Sequence, residues 1–160
     1  MIFASIGSML PFDRFVQAMD EWAAAHPETP VFIQIGNGSY EPRHAPFTRM
    51  MPHGDYMQKL READLFVAHA GMGSILQALE VRTPILIVPR DLAMKEHTTD
   101  HQRATVANFR ATPGIRVADT IDELPAAIDA ALAAPASDGD ALAPTAPASF
   151  TAKIAAFLAA

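Results

Sequence analysis

The sequence predicts an α/β fold, with a parallel sheet covered by helices on both faces. Three observations lead to that prediction. Short apolar runs of strand length alternate along the chain with stretches whose apolar residues recur at steps of three and four. Several of the runs, PILIVP (84–89) among them, are apolar at consecutive positions, as strands buried on both faces are. Gly7, Gly36 and the 69–73 loop follow three of the runs, at the carboxyl ends where open parallel sheets take their ligands.

In chain order, IFASI (2–6) reads as a first strand. A helix follows on Phe12, Phe15, Val16, Met19 and Trp22, with Pro11 suited to its first turn, where no N–H is needed. PVFIQIG (30–36) is a second strand, and NGSYEPRHAPF reads as a loop because it is polar and carries prolines. RMM (49–51) predicts a short strand, and DYMQKLREA (55–63) a short helix with Asp55 as N-cap. Residues 64–68 form the next strand. After the 69–73 loop, Ile75, Leu76, Ala78 and Leu79 mark a helix. PILIVP is a further strand, 98–109 a helix and IRV (115–117) the last strand. Thr120 and Glu123 have the spacing of a capping box for a helix running to about Ala133.

The composition changes after Ala134. Residues 134–149 read as a linker rich in Ala, Pro, Ser and Asp. Residues 150–160 place Phe150, Ile154, Phe157 and Leu158 on one face of an amphipathic C-terminal helix. The main domain is therefore expected over residues 1–133.

With 160 residues, half of them hydrophobic and 19% charged, the chain can build one domain with a sizeable core. Its net charge of −6 argues against nucleic acid as a partner and removes general attraction to anionic lipid. The absence of cysteine removes disulfides and thiolate metal sites. MIFASIG lacks the basic flank and length of a signal peptide, and no apolar run reaches the ~18 residues of a membrane span. These features lead us to expect a cytoplasmic chain.

The segment HAGMGSILQALE (69–80) sets two glycines and a serine between a strand and a helix. Bare backbone at a helix N-terminus suits an anion, because free N–H groups and the helix dipole face it and no β-carbon holds it away. A plain tight turn has the same local sequence. Three other chemistries fit less well. Gly71-Met72-Gly73 begins a dinucleotide fingerprint and Asp91 follows twenty residues on, but Leu76 stands at the third glycine position. His97 and His101, with Glu96 and Asp100, have a metal-like spacing, yet Thr98 holds the place where a zinc hydrolase has its glutamate. GMGSI is not the nucleophile elbow of a serine hydrolase, and no catalytic residue is assigned.

HAGMGSILQALE, IVPR and EHTTDHQ, together with IGSMLPFDRFVQAMDEW and VFIQIGNGSYEPRH, resemble the glycosyltransferase family 28 C-terminal domain over residues 1 to about 133. The likeness is to the stand-alone version found in two-subunit exopolysaccharide transferases. The resemblance implies the Rossmann-like, C-terminal half of a GT-B fold. It implies a UDP-sugar donor, with His69, Gly71, Gly73 and Ser74 at the diphosphate and Gly7 and Ser8 on a second glycine loop. Residues 50–53, Met51 among them, would lie at the uracil, and Asp100, His101 and Gln102 at the transferred sugar. Gln77 stands where many relatives have a glutamate for the ribose. An amide can still serve both hydroxyls there, without the charge-assisted part of the bond; Glu80 is turned away from that face. Arg43, Arg90 and Arg103 are candidates for pairing with a uronate.

The resemblance further implies an inverting glycosyltransferase subunit that needs no metal or cofactor, with the UDP-sugar as substrate. A membrane-associated, acceptor-binding glycosyltransferase subunit would be its partner. The acceptor would be a lipid-linked saccharide, and the chain would sit peripherally at the inner membrane face through that partner. Since the first strand begins at residue 2, the other half of the cleft is expected on a separate chain. A non-catalytic nucleotide-sugar-binding module that activates a partner has the same sequence features.

Overall fold

The computed structural model describes residues 1–98 and 101–134. Their order is β1 (Ile2–Ser5), α1 (Asp13–Ala25), β2 (Val31–Gln34), β3 (Phe47–Thr48), α2 (His53–Glu62), β4 (Leu65–His69), α3 (Met72–Glu80), β5 (Ile85–Val88), α4 (His101–Phe109), β6 (Ile115–Val117) and α5 (Leu124–Ala133). The six strands form one parallel sheet in the order β3-β2-β1-β4-β5-β6. The linker from residue 135 and the C-terminal segment 150–160 lie outside the described residues.

The strands are apolar on both sides because each side has its own helical layer. Ile2, Ala4, Ile33, Val67 and Leu86 pack with Phe15, Val16 and Met19 of α1 and with Leu124 and Ile128 of α5. Phe3, Phe66, Ile85 and Ile87 face the other way, against Leu60 of α2, Ile75 and Ala78 of α3, and Val106 of α4. The period of two along each strand thus feeds two cores. Phe3 stacks on Phe66 with ring centroids 5.3 Å apart and meets the edge of Tyr56 at 5.2 Å. On the other face the Trp22 indole N–H donates to Asp129 at 2.9 Å, joining α1 to α5.

Four local readings need correction. The short strand is Phe47–Thr48, before 49–51, because Ile33, Ile35 and Gly36 donate to the carbonyls of Pro46, Thr48 and Arg49. Helix α2 begins at His53 behind Pro52, and Asp55 lies in its first turn without capping it. The pair Thr120 and Glu123 forms no capping box. Glu123 occupies the N-cap position of α5, and its carboxylate accepts the N–H of Asp119 at 2.9 Å. Pro11 precedes Phe12, the N-cap of α1.

The long β2–β3 connection is held by two carboxylates of α1. Asp13 accepts the N–H groups of Ser39 and Tyr40. Asp20, fully buried, accepts the N–H groups of Arg43, His44 and Ala45 and the Tyr40 hydroxyl, at 2.8–3.0 Å. Burial by itself would raise the Asp20 pKa, but these four donors overcome it and hold the carboxyl below its ordinary value.

A group with a depressed folded pKa stabilises the fold above its unfolded pKa and loses that contribution as pH falls through the folded value. Asp20→Asn would set an amide NH2 against backbone N–H donors and is expected to cost roughly 2–3 kcal/mol in urea denaturation at pH 7. The parent should lose stability as pH falls below about 4, and the variant should lose less over that range. Equal pH slopes would show that Asp20 does not carry this effect.

Candidate functional site

In this strand order the chain winds outward from β1 to β3 and then returns to place β4 beside β1. The loops leaving β1 and β4 therefore diverge, and a crevice opens between them. A cavity of about 650 Å³ fills it, reaching from the β1–α1 loop to α3 and the β5–α4 connection.

His69, the last residue of β4, is central to this cavity. Its Nδ1 lies 3.1 Å from Nε2 of Gln102, and its Nε2 lies 3.5 Å from the Ser74 hydroxyl. Burial lowers its pKa to about 4, aided by the positive charge of Arg90 and by His97, so the ring is neutral at pH 7.

The glycines around the ring have different jobs. A β-carbon on Gly7, which has φ +76°, would sit 2.6 Å from His69 Nε2, and one on Gly71 would sit 2.2 Å from Cε1. The imidazole occupies a slot that only two bare residues leave open. Gly73 is another case, because a β-carbon there meets nothing within 4 Å. It lines the cavity in the first turn of α3, a helix whose N-terminus no side chain caps.

Ser74 is buried beside it and reaches the cavity with His69 and Gln77. Below them is a polar floor within otherwise apolar strands. The Gly7 N–H donates to Ser5 Oγ at 3.1 Å, the Ser5 hydroxyl donates to Gln34 Oε1, and Ser5 and Gln34 are register partners across β1 and β2. Tyr56 has its ring in the core and its hydroxyl among the side chains of Ser5 and Ser74, and burial raises its pKa.

Arg90 is 3% exposed and serves the loops. Its guanidinium donates to the carbonyls of Pro11, Glu96, Ile6 and Leu10 at 2.6–3.1 Å and lies 4.9 Å over the Phe12 ring. Burial lowers its pKa to about 10, which still leaves it charged at neutral pH. It is thus spent on backbone and is not offered to a uronate. Glu96 is spent likewise, since its oxygens accept from Arg14 at 2.7 and 2.9 Å and from the Asp91 N–H. This removes the carboxylate from the metal-like spacing of His97 and His101.

Of the residues singled out in the sequence, Gly7, Ser8, Met51, His69, Gly73, Ser74, Gln77 and Gln102 line one cavity. Gly71 backs the His69 ring instead. His101 is exposed at the start of α4 and is not part of the lining, and Asp100 lies outside the described residues. Glu80 is exposed and off the cavity wall. Sequence reading missed Ser5, Gln34 and Tyr56. The signal for the first two was present: a polar residue near the end of a strand that is otherwise buried on both faces needs a reason.

The model of the glycosyltransferase family 28 C-terminal domain matches residues 2–157. No curated protein matches the sequence. Among solved structures, the kitacinnamycin glycotransferase aligns with a TM-score of 0.65 at 25% identity, over 84% of this chain and 35% of that one. CalG4, the calicheamicin glycosyltransferase, shares the fold with a TM-score of 0.59 at 21% identity, over 99% and 43% of the two chains. MurG of Acinetobacter baumannii shares it at 0.54 and 18% identity, over 81% and 40%. The chain therefore spans less than half the length of each of these structures.

Gly71, at the N-cap of α3, and Gly73, in its first turn, should respond oppositely to a methyl group. Gly71→Ala pushes a β-carbon into the imidazole and should cost about 1–3 kcal/mol. Gly73→Ala enters open space within a helix and should be neutral or stabilising by up to about 1 kcal/mol. Thermal unfolding of both variants checks this, and an undiminished Gly71→Ala would displace His69 from its slot.

Proposed function

The chain belongs to the family of the glycosyltransferase family 28 C-terminal domain, and from that premise we propose that it is the donor-binding part of an inverting transferase using a UDP-sugar. The observation that carries this reading is the convergence of neutral donors on one open space. The uncapped N-terminus of α3, the Ser74 hydroxyl and the His69 imidazole meet beside Gly73, where no side chain intrudes. Such a set suits a diphosphate, whose charge grows as the bond to the sugar breaks. These groups would take the role that a divalent cation takes elsewhere, and no metal or cofactor enters the proposal.

Gln77, one turn beyond Gly73 on the same wall, would meet the ribose hydroxyls, and the Met50–His53 segment would receive the uracil. The sugar would lie toward the β5–α4 connection. The base that deprotonates the acceptor would come from a second, membrane-associated subunit, which would also hold a lipid-linked saccharide in an exopolysaccharide pathway at the cytoplasmic face. The solved structures that share the fold are more than twice as long as this chain; that the facing part is a second subunit is our proposal. No helix among the described residues is long and apolar enough to cross a membrane. Attachment through the partner is part of the proposal.

Calorimetric titration with UDP tests the donor site. The parent should bind, and its melting temperature should rise in step with roughly 2.7 kcal/mol of added stability at 100 times the dissociation constant. Gly73→Val should fold and lose UDP, because the side chain enters the place of the phosphate. Unchanged affinity in this variant would overturn the site.

The purified chain given a UDP-sugar and acceptor lipid should transfer nothing until a partner subunit is added. Transfer by the chain alone would overturn the two-subunit part.

A further inference from the structure

The cavity wall contains a relay of hydrogen bonds whose direction can be read from a single backbone group. The Arg90 N–H can only donate, and it meets Gln102 Oε1 at 3.0 Å. The carbonyl end of the Gln102 amide is therefore turned to Arg90 and its NH2 end to His69, where Nε2 lies 3.1 Å from Nδ1. An NH2 group can only donate as well, so Nδ1 must present its lone pair. The remaining proton of the neutral ring then sits on Nε2, the nitrogen facing Ser74 Oγ and the cavity. Gln102 is 5% exposed, and the Arg90 backbone that starts the relay is immobilised by the four carbonyl bonds of its own side chain.

We infer that Gln102 is a positioning residue: its amide, oriented by the Arg90 backbone N–H, keeps the His69 proton on Nε2 and so makes the imidazole a neutral donor into the cavity. This rests on the donor-site reading above, and it deepens that reading by naming the group that aims the donor. It gives Gln102, which also lines the cavity, a role through His69 beside any contact with the sugar. Orientation by a partner on the far nitrogen is the general way a histidine's working nitrogen is chosen. The titratable and charged groups around the ring are Arg90 and His97, and both oppose an imidazolium when charged. On the α2 side the titratable groups of the cavity wall are Tyr56, beside Ser74, and His53.

Glutamate at position 102 reverses the relay. One oxygen still accepts from the Arg90 N–H, but the other now accepts from Nδ1, which draws the proton to Nδ1 or makes the ring cationic. Nitrogen-15 NMR of the imidazoles reads this directly, with His69 assigned by its loss in His69→Asn. The parent should show a neutral ring protonated on Nε2 from pH 6 to 8. Gln102→Glu should show Nδ1–H, or an imidazolium with a raised pKa, and Gln102→Met should show both neutral tautomers. A parent ring protonated on Nδ1, or a His69 signal unchanged in either variant, would overturn the proposal. Should Gln102→Glu fail to fold, the parent and Gln102→Met spectra still decide.

UDP titration supplies the functional readout. In Gln102→Glu at pH 8 the unprotonated Nε2 faces the anion, and affinity should fall by about tenfold. It should recover as pH drops and the ring becomes cationic, whereas the parent should stay flat. A loss that ignores pH would overturn the positioning role. UDP failing to bind the parent would overturn the donor site and leave the tautomer result standing.

Discussion

The buried guanidinium of Arg90 receives four backbone carbonyls, from Ile6, Leu10, Pro11 and Glu96, and by doing so ties together the loops that leave β1 and β5. Taking a charge out of water costs several kcal/mol unless hydrogen bonds replace the lost solvent. Here they do, with the Phe12 ring against one face of the guanidinium. The loops gain equally, because irregular backbone packed against a sheet has carbonyls that need donors. One side chain shapes the cavity floor at Ile6 and its rim at Leu10, and the same residue's N–H begins the relay to His69.

Asp20 is the counterpart of opposite sign. It collects N–H groups where Arg90 collects carbonyls, and it orders the β2–β3 connection that delivers β3 and the Met50–His53 segment to the cavity. Both charges are buried, and each is satisfied mainly by main chain. The loops around the site are thus built by polar cores of their own, and the apolar residues on each sheet face carry the strands. This division allows a structured rim without apolar residues filling the crevice.

The histidine slot shows why small residues cluster here. Gly7 and Gly71 make room for an imidazole, whereas a β-carbon on Gly73 would meet open space. All three read alike in a motif. Their neighbours distinguish them, since only the first two are within contact distance of a side chain. Ser74 and Tyr56 then bring hydroxyls toward the same space from two helices on one face of the sheet.

Much of the fold was legible because its signals are local. Apolar runs such as PILIVP, helical spacing in 12–22 and 75–79, and glycines at strand ends report periodicity and backbone geometry, which belong to neighbouring residues. They also pointed to a site at the carboxyl ends of the strands, whereas His69, Ser74 and Gln77 were singled out through the family resemblance. The errors were at boundaries. The 49–51 strand moved to Phe47–Thr48 because β2 chooses its partner across the sheet, and Asp55 lost its capping role to a start at His53. Tertiary structure alone decided that Arg90 is a loop pin, that Gln102 faces His69, and that Gly71 is bare for a different reason from Gly73. Arg90 reaches Ile6 across 84 positions and Gln102 reaches His69 across 33. No spacing rule spans such distances; burial obliges each of these polar groups to find a partner, and only the folded chain determines which partner lies within reach.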